Sequence, residues 1–505
     1  MHMSFLHPLF LTTLAIALAL YYLLPFCLQP YLLLAANVLF LLTWGMGSLC
    51  YTLLAGILGW LAGFRMGKLR RKETLGRKEK RAQMRSIMLA ASAVLVLILM
   101  LTKSSVLLKL FPVNIDALQT YLAPIGISYY TLSIIGYMAD VQLGRLEAER
   151  NPLRFLMFVT FFPKLLQGPI DRYKTLGPQV VQGHRFDYKQ FCFGAQLMLY
   201  GMFKKLVIAD RLSVFLAGVF QDPETTPGAV LLTGLFLRAL HLYCDFSGYM
   251  DIAEGIAQMF GIRMAVNFNH PFFSKSAAEF WRRWHITLGA WFKDYVYLPV
   301  SAAPLTIRIA GYFRKKVSKK AGRDAAVAIP LLTVWILTGI WHGTGVNYID
   351  WGIYWGVIIL LSTIFAQTLR KMPAKLHLNP QSKGYARFQM LRTFLVFTGG
   401  RWITLDRSGY VLRRIVTNFR AGTLLDGSTL YSYGLNRQNF WMAAAGLFTV
   451  LMISRRQEQG SVREKIASYP AVLRWTIYYA AIFAVLIFGA YGKGFNAADF
   501  EYMNY

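Results

Sequence analysis

The run Ile87-Met88-Leu89-Ala90-Ala91-Ser92-Ala93-Val94-Leu95-Val96-Leu97-Ile98-Leu99-Met100-Leu101 decides the class of fold. It carries no charge and forms the apolar heart of one crossing of a hydrocarbon core about 30 Å thick. Just before it, Arg65 to Arg85 brings Lys68, Arg70, Arg71, Lys72, Arg77, Lys78, Lys80 and Arg81 against Glu73 and Glu79. A short, strongly basic loop beside an apolar span is the positive-inside signature, so this loop is expected in the cytoplasm.

Further apolar runs lie on both sides: Phe10 to Leu28, Leu32 to Phe64, Val327 to Trp341, Trp351 to Ile364 and Trp475 to Tyr491. Some merge two crossings and others hold only the centre of one. The 505 residues are 56% hydrophobic and 15% charged, too apolar a balance for a soluble chain of this length. The expected fold is an all-α integral membrane protein of about ten to twelve transmembrane helices, at roughly 20 residues each. A net charge of +30 would suggest nucleic acid in a soluble protein. Here the basic residues gather in short loops, including Arg314, Lys315, Lys316, Lys319 and Lys320, and later Arg455, Arg456, Arg463, Lys465 and Arg474. That pattern points to the lipid bilayer as partner and excludes nucleic acid. It also puts both termini outside.

The first apolar run has no basic flank and no small-residue cleavage site, and is read as a retained span rather than a secretory signal. Cys27, Cys50, Cys192 and Cys244 stand alone in apolar sequence, with no metal-ligand spacing. With no internal repeat and no soluble segment long enough to fold alone, residues 1–505 read as one membrane domain. The middle is less regular: Pro163, Gly168, Pro169, Gly248, Gly255, Gly261, Pro271 and Pro299 interrupt apolar stretches that also hold charges. Broken backbone at membrane depth is tolerated where protein buries it or it lines a cavity, so re-entrant elements around a site are expected here. Ordinary cytoplasmic connections with amphipathic surface helices are the alternative.

Four groups carry candidate chemistry. His342, in Thr338-Gly339-Ile340-Trp341-His342-Gly343, is an ionisable residue at the end of a span, able to take a proton from a hydroxyl. Its plainer role is a hydrogen bond to a neighbouring helix. His285 lies in Trp281-Arg282-Arg283-Trp284-His285, where helical spacing would put Trp281, Trp284, His285 and Leu288 on one pocket-lining face. Interfacial anchoring would explain the same tryptophans and arginines equally well. Asp245 and Asp251, with Glu254, are costly in an apolar run, and internal pairing to hold the fold is favoured over catalysis. Asn267-Phe268-Asn269-His270-Pro271 reads as a polar turn whose amides suit a ligand or bare backbone groups. There is no phosphate loop, zinc helix or nucleophile elbow, so neither a metal nor a bound cofactor is expected.

Taken together these segments resemble the membrane-bound O-acyltransferase family. The likeness is to its bacterial branch, that of the alginate O-acetylation membrane subunit and the D-alanyl-lipoteichoic acid transfer protein. The resemblance rests on Pro124-Ile125-Gly126-Ile127-Ser128-Tyr129-Tyr130-Thr131, on Phe161-Phe162-Pro163-Lys164-Leu165-Leu166-Gln167-Gly168-Pro169-Ile170, on Tyr243 through Pro299, and on Trp341-His342-Gly343. It covers residues 124–356. It implies that His342 is the catalytic histidine and His285 a second active-site histidine, with Trp341 beside them. It further implies a helical funnel that a thioester donor enters from the cytoplasm, and a location in the bacterial cell membrane. The tail 493–505 ends in Phe500-Glu501-Tyr502-Met503-Asn504-Tyr505, similar to the family's Phe-x-Tyr-Phe motif except at Met503. This makes Tyr502 a candidate acyl acceptor, a disordered tail being the alternative.

The length of the chain, with its own terminal span and tail, favours the acetylating branch. Acetyl-CoA is then the expected donor, and a membrane-anchored or secreted esterase-like transferase outside the cell the expected partner. D-alanyl transfer from the phosphopantetheine thioester of an acyl carrier protein is the alternative enzyme. A transporter whose intramembrane Asp, Glu and His residues form a substrate path is the alternative from another class.

Overall fold

The structure, a computed structural model, describes residues 4–103, 125–343, 345–406, 408–420, 422–425 and 427–491. Among these residues every regular element is a helix, and β pairing is limited to one isolated antiparallel bridge between Phe268 and Trp284. Among the described residues five helices are long and apolar enough to cross a membrane: Met46–Arg71, Arg77–Thr102, Gly228–Met259, Lys319–His342 and Ala471–Phe488. A sixth results if Val346–Ile364 and Ala366–Lys375, bent by 68°, count as one span. The chain is an all-α integral membrane protein. The expectation of about ten to twelve crossings is for the whole chain, whereas these five or six are counted among the described residues by length and composition. Pro8–Leu23 and Gln29–Thr43 form helices of only 16 and 15 residues, and at about 1.5 Å per residue these are shorter than a hydrocarbon core.

The described residues divide into two compact units, one made of those up to Met202 with Tyr249–Ala265, the other of Phe203–Gly248 with those from Val266 on. In the first, the span Met46–Arg71 buries a stripe of mostly small residues, Ser48, Thr52, Gly56, Gly59, Ala62 and Gly63. A methyl group on Gly59 would come within 2.2 Å of the Ile134 side chain. Close backbone approach replaces hydrophobic drive where lipid is as apolar as the helix. Lys68, Arg70 and Arg71 close its last turn, where cations complement the helix dipole. The irregular segment after Phe161 is held from several sides. Asn37 Oδ1 accepts the Phe162 N–H at 3.0 Å, and the Tyr249 hydroxyl donates to the Pro163 carbonyl at 3.0 Å. Gly126, at φ 69°, lies so close to the Leu165 carbonyl that no side chain fits.

In the second unit, Lys319–His342 and Val346–Ile364 form an antiparallel pair. Gly339 meets Tyr348, Gly352 meets Trp335, and Gly356 meets Leu332, so later residues of one helix face earlier residues of the other. The broken character expected of the middle is present. Phe203–Ala209 and Lys293–Tyr297 are π-helical, Pro271–Phe273 is a 3-10 turn, and Ala277–Arg283 and Ile286–Phe292 are two-turn helices.

Candidate active site

His342 is the last residue of its helix and is 9% exposed. The chain leaves it through Gly343, where a Cβ would meet the Tyr348 ring at 2.3 Å, so only glycine lets that ring lie under the turn. The imidazole is walled by two indoles, Trp341 at 4.9 Å and Trp351 at 5.0 Å between ring centroids, both near edge-on.

His285 is reached through Trp341, whose ring lies 6.0 Å from the His285 ring. The two histidines therefore share one aromatic wall. Phe246 closes the other side of His285 at 4.9 Å, edge to face. A helix spacing does not explain how His285 gets there. The helix ends at Arg283, Trp284 is extended, and His285 itself sits at φ 48°, a left-handed conformation uncommon for a residue with a side chain. The cause lies 18 residues upstream, where residues 267–269 pair with residues 283–286 as a minimal antiparallel ladder. Asn269 N–H donates to the Arg283 carbonyl at 2.9 Å, and Ile286 N–H donates to the Asn267 carbonyl at 3.0 Å. These bonds use groups that a continuous helix would have needed. The expectation that Trp281, Trp284, His285 and Leu288 share a helical face is thus corrected. Trp281 turns to an indole cluster with Trp335, Trp351 and Trp355, at 5.0, 5.7 and 4.9 Å. Trp284 turns to Phe280, Phe268 and Phe397.

Asn267 organises the His285 side. Its buried carboxamide oxygen receives three donors: His285 Nδ1 at 3.2 Å, Thr287 N–H at 3.1 Å and Thr287 Oγ1 at 2.9 Å. An oxygen that accepts from the Thr287 backbone amide must also accept from the imidazole, which puts the proton on Nδ1. Burial pushes the His285 imidazole down to about 3, so it is neutral at pH 7. In that tautomer Nε2 has a lone pair and no proton. It can hold a hydroxyl by accepting its hydrogen bond.

Behind Phe246 lies a charged network that includes two lysines not among the residues expected at the site. Asp245 and Ser247 flank Phe246 on Gly228–Met259. Lys205 Nζ lies 2.8 Å from Asp245 Oδ1 and 2.9 Å from Asp210 Oδ1, while Lys204 Nζ donates to Ser247 Oγ at 2.9 Å. Two consecutive lysines address one helix because they sit in the π-helical turn Phe203–Ala209, whose wider coil reduces the angle between neighbouring side chains. The signal was present as Phe203-Lys204-Lys205-Leu206 within an apolar run. Asp251 lies half-buried in the first compact unit, and Asn269 is exposed, contributing its backbone. Pro124 and Tyr502 lie outside the described residues. Among the described residues no group of three His, Cys, Asp or Glu side chains converges to hold a metal.

The comparisons with known proteins agree with one another. Residues 142–307 match the model of the membrane-bound O-acyltransferase family, a stretch that includes His285 and ends before His342. Over 237 residues the chain is 38% identical to the probable alginate O-acetylase AlgI of Pseudomonas syringae pv. tomato, covering 47% of this chain and 42% of that protein. It is 28% identical over 274 residues to the peptidoglycan O-acetyltransferase of Helicobacter pylori, covering 49% of each. It is 30% identical over 251 residues to the teichoic acid D-alanyltransferase of Bacillus subtilis, covering 49% of this chain and 60% of that one. The chain thus spans about half the length of the curated relatives it matches.

Proposed function

We propose that this chain, which carries a membrane-bound O-acyltransferase domain over residues 142–307, is an O-acyltransferase that moves an acetyl group from cytoplasmic acetyl-CoA for O-acetylation of an extracellular or cell-wall polysaccharide. The observation that carries the reading is that the buried rings of His285 and His342 both pack against Trp341. In the reaction His342 takes the proton of an acceptor hydroxyl as its oxygen attacks the thioester carbonyl. The C–S bond breaks, and the proton that His342 took passes to the departing thiolate, which returns His342 to its neutral form. Neutral His285, held by Asn267, accepts a hydrogen bond through Nε2 and orients the acceptor. This differs from stabilising the developing oxyanion, which would require a proton on Nε2.

The acetyl donor is favoured because two of the three kinds of relative are named as acetylating proteins. A D-alanyl thioester on a carrier protein is the second reading, favoured by the Bacillus relative. In the acetyl scheme Tyr502 receives the group and passes it to an esterase-like extracellular partner.

The test uses the purified chain, acetyl-labelled acetyl-CoA and peptide mass spectrometry. His342→Ala should lower transfer by about 10²- to 10⁴-fold, the usual worth of a general base, with unchanged thermal unfolding. Retained activity would overturn the role of His342. Label on Tyr502 that depends on His342 and disappears in Tyr502→Phe supports the relay. Label accepted only from a D-alanyl carrier would replace the acetyl reading with the second one.

A further inference from the structure

The span Val346–Ile364 contributes Trp351 to the wall of His342. At Phe365 it stops, and the chain turns by 68° into the helix Ala366–Lys375. Along and beyond that bend Phe365, Leu369, Met372 and Leu376 recur at spacings of four, three and four. They are 48%, 46%, 51% and 59% exposed. At 3.6 residues per turn they form a single stripe about 60° wide. Arg370, Lys371 and Lys375 lie off that stripe, all exposed, and Pro373 is the residue the helix buries against the protein.

The antiparallel pairing of Lys319–His342 with Val346–Ile364 fixes which end of the unit this helix occupies. Gly339 meets Tyr348 near one end and Gly356 meets Leu332 further along, so Ile364 comes alongside the beginning of Lys319–His342. Gly322 in turn lies against Arg314. The helix Ala366–Lys375 therefore emerges on the side that carries Arg314, Lys315, Lys316, Lys319, Lys320 and Arg323. A stripe of half-exposed apolar side chains, basic residues off it and a sharp turn away from a span suit a helix lying in the plane of a bilayer surface. The positive charge of that side selects anionic headgroups.

We propose that Ala366–Lys375 is an interfacial helix, its Phe365–Leu376 stripe seated at the acyl boundary and Arg370, Lys371 and Lys375 paired with the phosphates of anionic lipids in the cytoplasmic leaflet. It tethers the far end of the span that carries Trp351.

The experiment places nitroxide labels at Met372 and, separately, Lys371 of the full-length chain, with exposed Cys27 and Cys50 replaced by serine. The protein is reconstituted in nanodiscs of phosphatidylcholine, with or without phosphatidylglycerol. Collision with oxygen should dominate at position 372 and collision with a water-soluble nickel chelate at position 371. The difference should grow when phosphatidylglycerol is present. Arg370→Gln/Lys371→Gln/Lys375→Gln, read at position 372, should abolish that dependence on lipid charge. Equal chelate access at both positions would overturn the proposal. So would a stripe protected only after an acidic carrier protein is added, which would make this face a protein docking surface instead.

Discussion

At Asn267 one carbonyl oxygen determines what His285 can do. Because it accepts from Nδ1 and from both donors of Thr287, the ring is fixed in orientation and in tautomer. Asn267→Ala removes the acceptor for three buried donors. At about 1–3 kcal/mol for a donor left unsatisfied, unfolding stability should drop by at least about 2 kcal/mol, measured by thermal unfolding in detergent. Asn267→Asp keeps the acceptor but adds a charge. A carboxylate beside Nδ1 favours imidazolium, so the His285 pKa should rise from about 3, where burial holds it. As pH falls through the new value Nε2 gains a proton and ceases to accept. The wild-type pH–rate profile should then show no titration of His285 above about pH 4, whereas Asn267→Asp should show an added loss of activity on the acid side. Overlapping profiles would refute the Nε2-acceptor role. A fall of about 10- to 100-fold would match the effect of partners that fix the tautomer of metal-bound histidines. At this scale much was legible. His342, His285 and the Asn267 amide all stood out as polar groups in apolar sequence, while the direction of the His285 proton did not, since it depends on a partner 18 residues away.

Among the elements, the break between Ala277–Arg283 and Ile286–Phe292 and the π-turn Phe203–Ala209 do most to shape the site. Each spoils helical regularity to present side chains that an ordinary helix could not. The π-turn places Lys205 between Asp210 and Asp245 with all three side chains no more than 4% exposed. Lys205→Met would remove the ammonium that lies between the two buried carboxylates of Asp210 and Asp245. Breaking such a pair from one side costs about 3–5 kcal/mol. That loss should appear as a lower unfolding temperature, and Lys205→Met with Asp210→Asn and Asp245→Asn should recover most of it. If the single variant unfolds like wild type, the ion-pair network does not stabilise the fold. Spacing alone predicted a continuous helix through His285 because Trp281, Trp284 and Leu288 recur correctly for one. Periodicity records which residues are apolar, and it is silent about a distant backbone segment competing for the same hydrogen bonds.

For the whole molecule, the apolar runs set the membrane class, and the basic loops carry an expected orientation that labelling tests. Thr74→Cys and Val317→Cys, made separately without exposed Cys27 and Cys50, should react with an impermeant maleimide only from the cytoplasmic face. Labelling of either in intact cells would invert the assignment of that loop. Composition and the apolar runs by themselves determined that this chain is an all-α membrane protein, and His342 and His285 entered as candidates whose roles came from the family resemblance. These are properties of residue type and of runs about one bilayer thick. Tertiary structure alone decided that Trp341 joins the two histidines, that Asn267 directs one of them, and that Lys205 ties Asp210 to Asp245. Each of these depends on contacts between segments far apart in the chain. Such contacts are selected by packing and by the need to pair every buried polar group, and neither is written in the local pattern of any one segment.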